Sequence, residues 1–234
     1  MKKIDLNESS PRRKFLQTIA ASTAVLGAAS ILSPFQQLNA APTDYFSGED
    51  ADQWFGKKTK GKHKIVFDVT APHSIFPFAW PKVFLLTNAA TGTPEKDSSV
   101  VVILRHDAVG FALADNQWAK YNLGDHFKVD DQRTGKRSTR NPFWKPNPGE
   151  FQVPGIGPVP IGINELQDSG VSFCVCDMAL TVNSAVVAQG MKMDAAEVKK
   201  EWLNNILPGV QVVPSGVWAV GRAQEHGCAY CFVS

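Results

Sequence analysis

Four cysteines and five histidines hold most of the chemistry available to this 234-residue chain. Cys174 and Cys176 stand two apart in "FCVC", and Cys228 and Cys231 stand three apart in "HGCAYC" near the carboxyl end. Thiolates serve as nucleophiles, redox partners or soft-metal ligands, and histidine moves protons near neutrality. The number of ligands suits zinc or copper(I), which makes Cys174 and Cys176 with a histidine a candidate site for a soft metal ion. The closing Cys-x-x-Cys pair fits poorly with known uses. A thioredoxin-like pair opens a helix after a strand, and haem attachment needs a histidine after the pair, whereas His226 precedes it. On a regular strand, residues three apart point to opposite faces about 10 Å from each other. Cys228 and Cys231 therefore read as packing thiols. Cys174 and Cys176 share a strand face at roughly 6–7 Å, the upper limit for a disulfide.

Position along the elements decides which of these groups can act. "HKIVFDV" (63–69), "SVVVILR" (99–105), "VSFCVC" (171–176), "VQVVP" (210–214) and "CAYCFV" (228–233) read as strands, the second as a central one. Helices are expected over 77–92, 108–121, 177–190, 194–209 and 215–227. Pro81 is tolerable only in a first turn, Asp177 and Ser215 are placed as N-caps, and Asp194-x-x-Glu197 resembles a capping box. Strands separated by helices predict an α/β fold: three α/β/α layers around a mostly parallel sheet of about five strands. Residues 41–62 read as an irregular lead-in, and 63–234 as the domain. The Pro- and Gly-rich stretch 122–165 breaks the alternation as a long excursion, either a flap or a surface hairpin at "DQRTGK".

Ligands of parallel sheets bind beyond the strands' carboxyl ends. That rule brings forward His73 after strand one, His106 and Asp107 after strand two, Cys176 and Asp177 after strand three, and Ser215 after strand four. Cys176 precedes a helix, where free N–H groups and the dipole favour a thiolate, while Asp177 opposes a second negative charge. The competing reading is a buried inert thiol. His73, Asp177 and Ser215 are candidate ligand contacts, although capping alone accounts for Asp177 and Ser215. His126 lies in the excursion and could close over the crevice, and His226 suits the carbonyl end of the last helix.

Three segments, "HKIVFDVT", "SVVVILRHDAVGFAL" and "LQDSGVSFCVCDMAL…VVPSGVWAVGRAQEHGCAYCFV", are similar to DsrE/DsrF-like proteins. The resemblance covers about residues 63–121 and 165–233. It implies a compact α/β/α fold, frequent oligomers and, in some members, sulfur relay through a cysteine persulfide, at the position that Cys176 occupies here. It also implies a sulfur-donor protein as a partner. His106 would then orient the ligand or move a proton.

The first forty residues predict the compartment. Ser10-Pro-Arg12-Arg13-Lys14-Phe15-Leu16 before a mild Ala/Ser-rich apolar run resembles a twin-arginine (Tat) signal peptide. Arg12, Arg13, Phe15 and Leu16 would be read by the Tat export machinery, with cleavage after Ala40 and a periplasmic product. No stable membrane span is expected once residues 1–40 are removed. The remainder holds 19 basic and 20 acidic residues. Near neutrality, it offers no basic stripe for nucleic acid. An oxidising destination would permit disulfides among the four cysteines.

Overall fold

The β-branched runs assemble one five-stranded sheet. The computed structural model describes residues 48–234, so the signal segment with Arg12, Arg13, Phe15 and Leu16 lies outside the described residues. The strands are β1 (His63–Val69), β2 (Ser98–Leu104), β3 (Val171–Cys176), β4 (Val210–Val213) and β5 (Ala229–Val233). They pair in the order β4-β3-β2-β1-β5, parallel throughout. Every residue of β2 and β3 is buried, as expected of strands covered on both faces. The helices are α1 (Gly48–Lys58), α2 (Phe76–Ala90), α3 (Asp115–Tyr121), α4 (Leu123–Phe127), α5 (Ile163–Asp168), α6 (Asp177–Met191), α7 (Ala195–Asn204) and α8 (Gly216–Glu225).

The strand order explains the layers. From β1 to β4 the chain steps in one direction, and right-handed crossovers then put the intervening helices on one face. The step from β4 back past β1 to β5 reverses direction and places α8 on the other face. Alternate strand residues divide accordingly between two cores. Phe67, Val69, Val100, Val102, Leu104, Phe173 and Val175 pack with α2, α3, α6 and α7, whereas Val66, Val101, Ile103, Cys174 and Val213 pack with Ala51 and Phe55 of α1 and Ala219 and Ala223 of α8. The fold is a three-layer α/β/α sandwich.

Several local expectations need correction. Residues 48–58 of the lead-in form α1, because Ala51 and Phe55, one turn apart, bury completely against the sheet. Pro81 lies inside α2 rather than in its first turn, and that first turn already contains Pro77. A 3-10 helix, His106–Ala112, precedes α3 where one continuous helix was expected. α6 runs past Gly190 and ends at Lys192 in the left-handed region (φ 57°).

The 122–165 excursion is a packed subdomain. Its first hairpin, Asp130–Asp131 with Lys136–Arg137, closes at the "DQRTGK" turn, and a second pairs Gln152–Val153 with Gly157–Pro158. Arg140 bridges Asp131 (2.7 Å) and Glu150, which also pairs with Arg133. Phe143 stacks on Phe151 at 4.8 Å and lies 4.2 Å from Phe78 of α2. Asn141 Nδ2 donates to the carbonyls of Phe111 (2.8 Å) and Leu113 (3.0 Å). These contacts fix the excursion to the α2 face of the sheet.

Candidate functional site

Cys176 ends β3 and is itself the N-cap of α6, a role the sequence had suggested for Asp177. Its Sγ accepts the N–H of Ala179 at 3.2 Å. The backbone N–H groups of Gly216, which opens α8, and Met178 also favour negative charge on this sulfur. Two helix amino termini therefore converge on one thiol. Burial is the largest influence and pushes the thiol up. The Ala179 and Gly216 N–H groups oppose it, Asp177 adds to it, Met178 N–H opposes it, and the net direction is upward. Cys176 as a residue is 6% exposed.

A charged cluster adjoins it. Arg105, immediately after β2, donates to Asp68 of β1 in a bidentate pair, Nε to Oδ1 at 2.6 Å and Nη2 to Oδ2 at 2.8 Å. Tyr230 Oη of β5 donates to the same Asp68 Oδ2 at 2.8 Å. Asp68 is buried to 1% exposure, so the fork-shaped pair is what permits its charge there. Arg105 is held further above its ordinary value, chiefly by the Asp68 hydrogen bond and with a contribution from Cys176. The Arg105 side chain crosses directly over Gly216. A Cβ at that glycine would lie 2.5 Å from Arg105 Cδ. Asp68, Arg105, Val217, Val220, Gln224 and Tyr230 surround a depression of about 290 Å³ at this end of the sheet.

Sequence reasoning passed over Arg105 and Asp68. The signal present was a lone carboxylate inside the apolar run "IVFDV" of the first strand, since a buried acid requires a partner.

The remaining candidates disperse around the strand ends. The His106 ring is 69% exposed and faces Asp107 Oδ1 at 3.2 Å. Its backbone has φ 52°, and no hydrogen bond or ion pair joins its ring to Cys176. His73 Nδ1 bonds the Ser234 carbonyl. Asp177 is buried and pairs with Lys199 at 3.0 Å, which ties α6 to α7. Ser215 caps α8, accepting Trp218 N–H at 3.2 Å. His126 of the excursion meets Asn183 of α6 at 2.8 Å, and Asn183 Nδ2 donates to the His106 carbonyl at 3.3 Å. His226 sits beyond the last turn of α8, 4.0 Å from Asp52.

The cysteines sort by face. Cys228 packs in the α1–α8 core, and Cys231 packs against the opposite one. All four are free thiols in this structure. Among the described residues no group of three or more His, Cys, Asp or Glu side chains gathers closely enough for a metal ion, and Cys174 and Cys176 have no third ligand there.

No family model matches the chain, and no curated protein matches it. Among solved structures it is similar to a protein of unknown function from Methanobacterium thermoautotrophicum. The two are 17% identical, with a TM-score of 0.39, and the match covers 74% of this chain and all of the other. No helix of the described residues is long and apolar enough to cross a membrane.

Proposed function

We propose that this chain is an exported DsrE/DsrF-like protein whose Cys176 accepts a sulfane sulfur and passes it to a partner. The observation that carries this reading is the seat of the sulfur, at the junction of the α6 and α8 amino termini beside Arg105. That seat gives a sulfur anion N–H and guanidinium partners, which oppose the burial that holds the resting thiol protonated. In the loading step Cys176 Sγ loses its proton to solvent and attacks the terminal sulfur of a polysulfide. A new S–S bond forms, the donor's S–S bond breaks, and the donor leaves as a shortened polysulfide anion. The outer sulfur of the resulting persulfide carries the charge that the N–H groups and Arg105 favour. On transfer, an acceptor thiolate attacks that sulfur, and the electron pair returns to Cys176. Burial, which pushes this thiol up, then favours its reprotonation. The cycle is redox-neutral and needs no further oxidant.

Polysulfide treatment of the reduced protein followed by peptide mass spectrometry is the test. One sulfur atom is expected on the Cys176 peptide and none after Cys176→Ser. An unmodified Cys176, with its thiol shown to be free beforehand, removes the sulfur-carrier reading.

A further inference from the structure

A cluster of lysines without ion pairs among the described residues lies at the opposite end of the sheet from Cys176. Lys57, Lys58, Lys60, Lys62 and Lys96 line a cleft of about 540 Å³, with Asp97 as the one acidic residue there and Ser98, Ser99 and Ser172 among its walls. The whole-chain balance hides this cluster, because the segment after residue 40 is nearly neutral. Lysine ion pairs in the described residues are made by Lys82, Lys120 and Lys199, and none of the five cleft lysines makes one. Helix capping explains only part of the cluster. Lys57 and Lys58 occupy the last turn of α1, where carbonyls attract cations, but Lys60, Lys62 and Lys96 end no helix of that length.

The cleft is also built rather than draped. Lys62 N–H donates to the Asp97 carbonyl at 2.6 Å, and Gly61 N–H donates to Ser99 Oγ at 2.7 Å. A Cβ on Gly61 would lie 2.6 Å from Ser98 C and Ser99 N, so glycine lets the lysine loop lie flat against the start of β2. A concave volume of this size suits a small molecule rather than a flat membrane.

We propose that this cleft binds a soluble small molecule bearing two or more phosphate or sulfate groups. Spread lysines match several anionic groups as point charges, and a single carboxylate would leave most of them unanswered. This site is independent of the chemistry at Cys176.

Calorimetric titration of the full chain with tripolyphosphate at about 0.15 M salt tests the proposal. Saturable one-to-one binding is expected. The combined Lys60→Gln, Lys62→Gln, Lys96→Gln variant should bind at least about tenfold more weakly. A control carrying Lys136→Gln, Lys145→Gln and Lys200→Gln removes the same charge elsewhere and should bind like the parent. The proposal is overturned by an absence of saturable binding, by equal loss in the control, or by parent-like affinity in the cleft variant. Binding confined to phosphatidylglycerol vesicles or to poly-glutamate, with none to tripolyphosphate, overturns it as well.

Discussion

Gly216 connects the two halves of the strand-end site, because its N–H faces Cys176 and its missing side chain leaves room for Arg105. Gly216→Ala puts a Cβ 2.5 Å from Arg105 Cδ and 2.6 Å from Arg105 Cβ. The contact at Cβ is close to the backbone and cannot be relieved by swinging the far end of the side chain. We expect a loss of about 1–3 kcal/mol in stability, the range for overpacking, and slower polysulfide loading of Cys176, read by urea denaturation and by timed mass spectrometry. Asp68→Ala leaves Arg105 with no carboxylate in a largely buried position. Since Arg105 keeps a quarter of its side chain exposed, a cost of about 3 kcal/mol is expected, the lower end for breaking a buried pair. A urea midpoint matching that of the parent would show that solvent already satisfies Arg105. The cysteine at the strand end could be read from pattern, since a strand running into a helix places its last residue there. The pair beside it could not, because Asp68 and Arg105 are 37 positions apart and meet only once β1 and β2 are in register.

The excursion shows the same limit at the level of elements. Its turn chemistry marked the first hairpin, but its packing depends on Glu150 receiving both Arg133 and Arg140 and on Phe143 reaching Phe78, contacts with no local period. The alternating strands and helices could be read because their apolar runs are continuous and end in caps. α1 was obscured because its two core residues sit among charges in "GEDADQWFGKK". Glu150 is held below the ordinary carboxyl value of 4.5. Burial raises it, and the hydrogen bonds from Arg133, Asn147 and Arg140 outweigh that burial. Its folded pKa is depressed, so its stabilising contribution is present above pH 4.5 and lost as pH falls through the folded value. Glu150→Gln should therefore open residues 130–160 to trypsin at neutral pH while the central sheet stays resistant. The parent should show the same cleavage preference, with an acid-active protease, only as the pH drops below that range. Uniform digestion of the whole chain would mean that the excursion and sheet unfold as one unit.

Across the whole molecule the four thiols act in the same thermodynamic direction. Burial is the largest cause for each of Cys174, Cys176, Cys228 and Cys231, and each is raised above the ordinary value of 9.0. A thiol raised on folding stays protonated in the folded protein at a pH where the unfolded chain has already released its proton. The unfolded state then binds fewer protons, and stability falls as pH rises. The contribution is intact below pH 9.0 and is lost progressively between that value and the folded values. Tyr121 and Tyr230, also raised mainly by burial, extend the decline further into the alkaline range. Urea midpoints measured between pH 7 and pH 11 should hold steady at first and then drop. Cys174→Ala should flatten part of that drop, since Cys174 is fully buried between the sheet and the α1–α8 layer. The variant also leaves a small void, so its midpoint at pH 7 should be slightly lower while its alkaline slope is shallower. Those opposite signs separate lost packing from lost proton linkage. A parent midpoint that stays level to pH 11, or a Cys174→Ala curve merely displaced downward with the same slope, would mean that the buried thiols do not set the alkaline limit of this fold.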